Sequence, residues 1–481
     1  MLAHAVSYWI RGVDARRIDV EAHVVPKTLP GFAVVGLADR AVQEARQRVL
    51  SGMVAASFEF PDDRVIVNLA PAREPKQGSG FDLAIALAVL AASGQAQSAS
   101  VARVAAAAEL GLDGRLRPVA GTLAMAEAAG RAGLQGLLVA PENAAEAVLA
   151  GAVPVIPAFD LYEAVQILAG RADPPPLPEQ PPMSETEPGP GPDLSEVRGQ
   201  AAARRVLEIA AAGWHNLLMV GPPGSGKTML ARRLPGIVPP LTPAERLEIS
   251  RIQSVAGTLN GSCATTRPFR APHHSASAAA LVGGASLRPG EVTLAHRGVL
   301  FLDELPEFNR AALEALRLPL QDGEVLISRA TGTVRLPAQS LVVAAMNPCP
   351  CGHLGDPRRD CRCPDQRVVA YRSRVSGPVA DRFDLRVEVP RADAHGAAGE
   401  PSAAVATRVA AARELLDAAR PALDPAADRL LADAVDRLAL SARGRDRVQR
   451  VAGTIAALAA REQAGADDVA EALAYRLELS R

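Results

Sequence analysis

Positions 221–228 read Gly-Pro-Pro-Gly-Ser-Gly-Lys-Thr, a complete G-x-x-x-x-G-K-[ST] pattern. A glycine-rich turn of this kind points successive backbone N–H groups inward. With a helix starting at its end, it makes a cradle for phosphate groups. The pattern carries weight only between a strand and a helix. An apolar run at 216–220 (Asn-Leu-Leu-Met-Val) leads in, and 229–233 (Met-Leu-Ala-Arg-Arg) leads out with helix formers. These flanks argue against a chance match in a glycine-rich chain. Gly221, Pro222, Pro223, Gly224, Ser225 and Gly226 are expected to wrap the phosphates of a bound nucleotide. Lys227 would reach the outer phosphates, and the Thr228 hydroxyl would sit on Mg²⁺.

Two further strand ends complete the pattern. Residues 298–304 (Gly-Val-Leu-Phe-Leu-Asp-Glu) form an apolar strand that delivers adjacent acids at its C-terminal end, where parallel sheets bind their ligands. Asp303 is expected to hold Mg²⁺ through water and Glu304 to polarise the attacking water. Acids also cap ordinary strands, so the motif gains its meaning from the loop at 221–228. Residues 341–347 (Leu-Val-Val-Ala-Ala-Met-Asn) are a third strand, ending in an amide that can position water against a γ-phosphate. The plain alternative for Asn347 is a turn residue before Pro348.

The remaining chain frames this motor region. Residues 171–192 hold nine prolines in 22 positions, which forbids ladders and makes an extended spacer. Before it, alternation predicts strands at 19–25, 32–36 and 64–69. An amphipathic helix is expected over 39–53 and an apolar one over 81–92. This is an α/β domain without a phosphate loop. After about 400 the pattern is helical, over 403–419, 426–440, 445–460 and 466–479. With 481 residues, about three domains are expected. The 52 Lys+Arg balance 53 Asp+Glu, so any nucleic-acid affinity must come from local patches. Aromatics are 3% of the chain, too few for extensive base stacking. Five unevenly placed cysteines do not make a disulfide framework. Neither a leader segment nor a membrane span is expected, and the chain reads as a soluble cytoplasmic protein.

Residues 193–481 resemble a AAA+ ATPase of the magnesium-chelatase and MCM-like branch, and the whole chain is similar to the ComM/YifB competence-associated family. The matching segments are Phe-Arg-Ala-Pro-His-His-Ser at 269–275, Gly-Glu-Val-Thr-Leu-Ala-His-Arg-Gly at 290–298, Asn-Pro-Cys-Pro-Cys-Gly at 347–352 and Ser-Gly-Pro-Val-Ala-Asp-Arg-Phe-Asp-Leu at 376–385. Residues 32–39 and 76–83 match as well. The resemblance implies a Lon-protease-like α/β domain at 1–170 and the Pro-rich linker at 171–192. A P-loop core with a parallel sheet in three αβα layers would span 193–390, and a helical lid 391–481. It implies that 193–200 lies near adenine, that Asn347 is sensor 1, and that Arg443 is sensor 2. Arg382 would be an arginine finger offered to a neighbouring subunit's ATP, which requires a ring; the family expectation is a hexamer. An ion pair with Asp381 or Asp384 is the plain alternative for Arg382. An insertion over about 250–296 would project toward the ring channel. The hairpin at 329–335 would grip DNA phosphates through Arg329 and Arg335, or else be merely solvated.

Cys349, Cys351, Cys361 and Cys363 form a C-x-C…C-x-C set. Paired thiols in this setting suggest a four-sulfur Zn²⁺ site. The spacing is tighter than C-x₂-C, and His353 is a candidate substitute ligand. A reduced loop is the alternative. Arg358, Arg359, Arg362, Arg367, Arg372 and Arg374 surround the segment as a candidate phosphate-binding patch. Lon-type proteolysis needs a Ser activated by a Lys. Here the Ser position falls on Gly80, beside Ser79, and the Lys position near Thr122 or Leu123, with no lysine between Lys76 and Lys227. A working dyad is not expected, so the domain reads as a scaffold or a DNA-contacting collar that supports oligomerisation. The leading function is an ATP-driven ring motor on DNA, by resemblance a branch-migration helicase of natural transformation. The alternatives are a chelatase-type metal-insertion ATPase and, with least support, an ATP-dependent protease.

Overall fold

The computed structural model describes residues 1–36, 40–72, 76, 78–178, 191–284, 287–329, 332–391 and 396–476. The N-terminal part is built on a seven-stranded sheet. Its strands are β1 (Leu2–Arg11), β2 (Asp14–Val25), β3 (Gly31–Val35), β4 (Arg64–Ala70), β5 (Val104–Ala107), β6 (Gly136–Val139) and β7 (Val155–Pro157). Their order is β3-β4-β2-β1-β5-β6-β7. β1 runs antiparallel to β2 and parallel to β5, so it stands in the middle. Alternation did not reveal β1, because most of its residues from Ala5 to Trp9 are buried whichever face they take. A strand covered on both faces loses the period of two that β2 and β4, each covered on one face, keep. Helix α1 (Arg40–Ala55) lies where the 39–53 helix was expected; Asp39 is outside the described residues. Helix α2 (Asp82–Ala92) is buried along its whole length, as a helix without a polar face must be.

The second sheet has five parallel strands. They are β8 (Leu217–Val220), β9 (Phe269–Arg270), β10 (Val299–Leu302), β13 (Leu341–Met346) and β14 (Leu385–Glu388), ordered β9-β10-β13-β8-β14. β11 (Glu324–Arg329) and β12 (Gly332–Pro337) form a separate antiparallel hairpin between β10 and β13. Residues 330 and 331 at its turn lie outside the described residues. Phe269 and Arg270 supply the edge strand of the main sheet, so the 250–296 segment is not one projecting insertion as expected. Beyond residue 400 come four helices, Ser402–Ala418, Pro425–Arg437, Ala442–Leu458 and Ala466–Ala474. The first and third pack on the helix Ala201–Gly213 that precedes β8. Residues 171–178 form no helix or strand, and 179–190 of the spacer are not described. Among the described residues, no helix is long and apolar enough to cross a membrane.

The two sheets are joined through helix α3 (Pro243–Ala256) of the motor part. Its Val255 sits in the apolar cluster of the N-terminal domain. Its Ser254 carbonyl accepts from Gly121 N at 3.0 Å. The buried Glu146 carboxylate accepts from Thr122 Oγ1 at 2.8 Å and Leu123 N at 3.3 Å, and also from the Ser254 hydroxyl. A buried carboxylate is tolerated only when such donors surround it. Arg251 adds an ion pair to Glu127 at 3.4 Å. Thr122 and Leu123, where a protease lysine would fall, are therefore sealed beneath α3. Ser79 donates instead to Glu109.

Candidate active site

β8 lies between β13 and β14, and all four of its residues are buried. Its apolar side chains fix the strand in the sheet, so the loop emerges at a defined edge. Gly221 N donates to Met346 O at 3.2 Å, tying the loop's start to the end of β13. Gly226 has φ 90° and opens the following helix; a residue with a Cβ would be strained there. That helix, Lys227–Ala231, is shorter than expected, because Leu234–Gly236 forms a 3₁₀ turn around Pro235. Gln200 Nε2 donates to Ser225 O at 2.7 Å and so brings the 193–200 segment against the loop.

The functional side chains meet in a cleft of about 480 Å³. Lys227 Nζ donates to Gly221 O at 2.7 Å and Pro222 O at 3.0 Å, with Asn347 Oδ1 at 3.4 Å. Burial pushes the Lys227 ammonium below the ordinary lysine range, while the charges of Asp303 and Glu304 push it back. Thr228 Oγ1 donates to Asp303 Oδ2 at 2.8 Å. The two residues expected to share Mg²⁺ therefore already touch, although one lies in the helix after the loop and the other follows β10. Asn347 closes the cleft beside Met346.

Glu304 reaches the cleft through a left-handed backbone with φ 51°, a conformation that costs a non-glycine residue about 1–2 kcal/mol. Its carboxylate lies 3.2 Å from His274 Nδ1. The His274 ring lies tilted against the His273 ring with centroids 4.1 Å apart, and His273 Nδ1 lies 2.8 Å from Ser275 Oγ. The sequence places His274 in the 269–275 segment and by itself implies no part for it in the site. Two adjacent histidines right after a strand were the available signal.

The remaining predicted residues lie elsewhere. Arg382 precedes β14 and so stands at the opposite end of the strands from the phosphate loop, which follows the neighbouring β8. The four-residue strand between them spans about 13 Å. Arg382 donates to Pro378 O and Gln321 Oε1, each at 2.7 Å. Among the described residues it has no ion pair with Asp381 or Asp384; Asp384 is held by Arg447 and Arg450, each at 3.3 Å. These arginines and Arg420 border a cleft of about 620 Å³ around Arg382. Arg443 is exposed in the first turn of the Ala442–Leu458 helix and does not line the 480 Å³ cleft. Arg335 is 77% exposed, with Glu324 at 3.7 Å. The Arg329 side chain lies outside what is described.

The four cysteines converge. Cys349 Sγ lies 3.4 Å from Cys351 Sγ and 3.6 Å from Cys361 Sγ, and Cys351 to Cys361 is 3.7 Å. With Cys363, all four sulfurs lie within 4.8 Å of one another. A zinc ion with bonds of 2.3 Å to four sulfurs implies edges of about 3.8 Å, so the donor set fits despite its tight spacing. His353 is not part of it. Its Nδ1 faces Asp356 at 3.4 Å, and Asp356 also accepts from Arg391. Of the surrounding arginines, Arg372 donates to Pro348 O and Arg374 pairs with Glu307. Arg358, Arg359, Arg362 and Arg367 are exposed.

The chain is similar to known proteins along its whole length. The family described as "Magnesium chelatase, subunit ChlI" matches residues 193–397. "Subunit ChlI of Mg-chelatase" matches 20–143, and the corresponding C-terminal family matches 417–476. The competence protein ComM of Haemophilus influenzae is 42% identical over 489 residues, covering 97% of this chain and 95% of that protein. YifB of Salmonella typhimurium is 41% identical over the same shares. A Mycobacterium tuberculosis (strain H37Rv) protein is 43% identical over 501 residues, 99% of this chain and 98% of its own. With such similarity sustained from end to end and the chelatase segments in order, the chain belongs to the ComM/YifB family of magnesium-chelatase-like ATPases.

Proposed function

We propose that the protein is an ATP-hydrolysing ring motor that acts on DNA, as a branch-migration helicase in recombination and natural transformation. The observation that carries the motor reading is the cleft that gathers Lys227, Thr228, Asp303, Glu304 and Asn347. The loop amides and Lys227 bind the triphosphate. Thr228, and Asp303 through water, would hold Mg²⁺, which would supply charge neutralisation at the phosphates. Glu304 takes a proton from the attacking water, and Asn347 orients that water. Arg382 faces away from its own loop, so its finger role requires a neighbouring subunit; a hexameric ring supplies one. Arg443 would serve as sensor 2 only if it too acted across that interface.

The DNA part of the reading is supported by the exposed Arg335, by the arginines around residues 358–367, and by the name of the competence relative. The family descriptions favour a second reading, a chelatase-type motor. The N-terminal sheet clasped to α3 gives the motor a part that pure nucleotide chemistry does not need. ATP turnover of the full chain, measured with and without single-stranded and forked DNA, separates the two. Stimulation of about threefold or more is expected. If DNA neither binds nor stimulates, the helicase reading fails and the ATPase reading stands.

We also place Zn²⁺ on Cys349, Cys351, Cys361 and Cys363. The ion would brace the loop that follows Asn347. Metal analysis of the purified full chain should give about one zinc per chain, falling on Cys361→Ser. Less than about half an equivalent in the unsubstituted protein would rule the site out.

A further inference from the structure

Residues 347–364, between β13 and the helix Asp365–Arg372, form no helix or strand. A run of that length in a packed core needs something other than a ladder to hold it. The four cysteines gather it from within, and it is seated on the nucleotide cleft at two places. The first is Gly352, next to Cys351. Its φ is 82°, and a Cβ there would stand 2.5 Å from Pro223 Cδ in the phosphate loop and 3.8 Å from Asn347 Cγ. The backbone of the cysteine loop therefore lies against the phosphate loop at a point that requires glycine. The second is Asp356, whose side chain is fully covered. It accepts from Arg391 Nε at 2.9 Å and from Arg358 N at 3.0 Å. Arg391 follows Pro390, whose carbonyl accepts from Gln200 Nε2 at 3.1 Å. That same nitrogen donates to Ser225 O of the phosphate loop. Contacts thus run from the cysteine loop to the phosphate loop by two routes.

We propose that zinc in the four-cysteine site is a positive effector of nucleotide binding, acting through the seat of Gly352 on Pro223. The inference rests on the zinc and ATP readings above. Pro223 has no N–H to donate, so packing must fix its place, and Gly352 packs on it. With the metal gone, the cysteine loop keeps only turns and the Asp356 contacts, and Gly352 is no longer pinned. With the metal bound, the seat is set before nucleotide arrives, which lowers the entropy lost on binding. Coupling of this kind is reciprocal: the factor by which zinc tightens nucleotide is the factor by which nucleotide tightens zinc.

The test uses the full chain and two readouts. A fluorescent ATP analogue reports nucleotide affinity before and after treatment with a zinc chelator. A colorimetric chelator reports zinc retention with and without a non-hydrolysable ATP analogue. Zinc removal should weaken nucleotide binding about tenfold, and the analogue should tighten zinc by the same factor. Gly352→Ala, which keeps every thiol, should weaken nucleotide binding to a similar degree with its zinc still bound, and Asp356→Asn should act in the same direction. Bound zinc that neither affects nucleotide nor responds to it would overturn the proposal and leave the metal site standing. If circular dichroism shows that chelation unfolds the motor part, the two zinc-loaded variants decide, and unchanged nucleotide affinity in both would overturn the proposal. A chain isolated without zinc would instead overturn the zinc reading, and one that binds no nucleotide would overturn the motor reading.

Discussion

Lys227→Ala should reduce ATP turnover of the full chain by about 10²–10³-fold or more, the scale seen when one preorganised charge or donor is removed from a developing charge. The expectation follows from where the ammonium sits. It is buried, and its neighbours are the loop carbonyls of Gly221 and Pro222 and the amide of Asn347. Among the described residues no ion pair neutralises it, and the acids at the cleft act on it through their charges. Its charge is therefore directed at whatever anion enters the loop. The loop itself should survive the substitution. β8 is paired on both sides, Gly221 is tied to Met346, and Gln200 holds Ser225. Glu304→Gln is the companion variant. It should keep nucleotide binding and lose hydrolysis to a similar degree, because the carboxamide preserves shape without accepting a proton. Steady-state hydrolysis and a fluorescent-nucleotide titration report the two steps separately. Turnover within about threefold of the unsubstituted protein for Lys227→Ala would remove this cleft from the chemistry.

The parts of this site that were legible in the sequence share one property: each is a contiguous run. The loop at 221–228, the acids after 299–302 and the amide after 341–346 all sit at the ends of short apolar strands. A parallel sheet then gathers strand ends without further instruction. What was not legible depends on pairs distant in sequence. His274 meets Glu304 because β9 and β10 are neighbours in the sheet, and nothing in either segment alone announces the other. Glu146 meets Ser254, and Arg11 meets Gly332, only after two domains have docked. β1 was missed for a different reason. Both its faces are covered, which erases the alternation that β2 and β4 show. The cysteine set lies between these cases. The spacing flagged a metal, yet only the fold brings the 361–363 pair to the 349–351 pair and turns His353 away toward Asp356.

Arg382→Ala should lower turnover by about 10³-fold or more while leaving nucleotide affinity within about threefold. The asymmetry comes from topology. Arg382 and the phosphate loop lie at opposite ends of two neighbouring parallel strands, β14 and β8, so the residue cannot touch the nucleotide bound to its own chain. Its guanidinium is held by Pro378 O and Gln321 Oε1 rather than by an acid. Asp384, the obvious partner in sequence, is already occupied by Arg447 and Arg450. A finger that works on a neighbour makes a second, sharper expectation. A Lys227→Ala chain has a dead loop and an intact finger, and an Arg382→Ala chain has the reverse. Mixed before assembly, they should form interfaces at which an intact loop faces an intact finger, and turnover should exceed that of either variant alone. Two outcomes would sink the assignment. Loss of nucleotide binding in Arg382→Ala would make it a structural residue of its own subunit. Mixtures no more active than their components, with assembly verified by size, would show that the 620 Å³ cleft around Arg382 does not receive a neighbour's triphosphate.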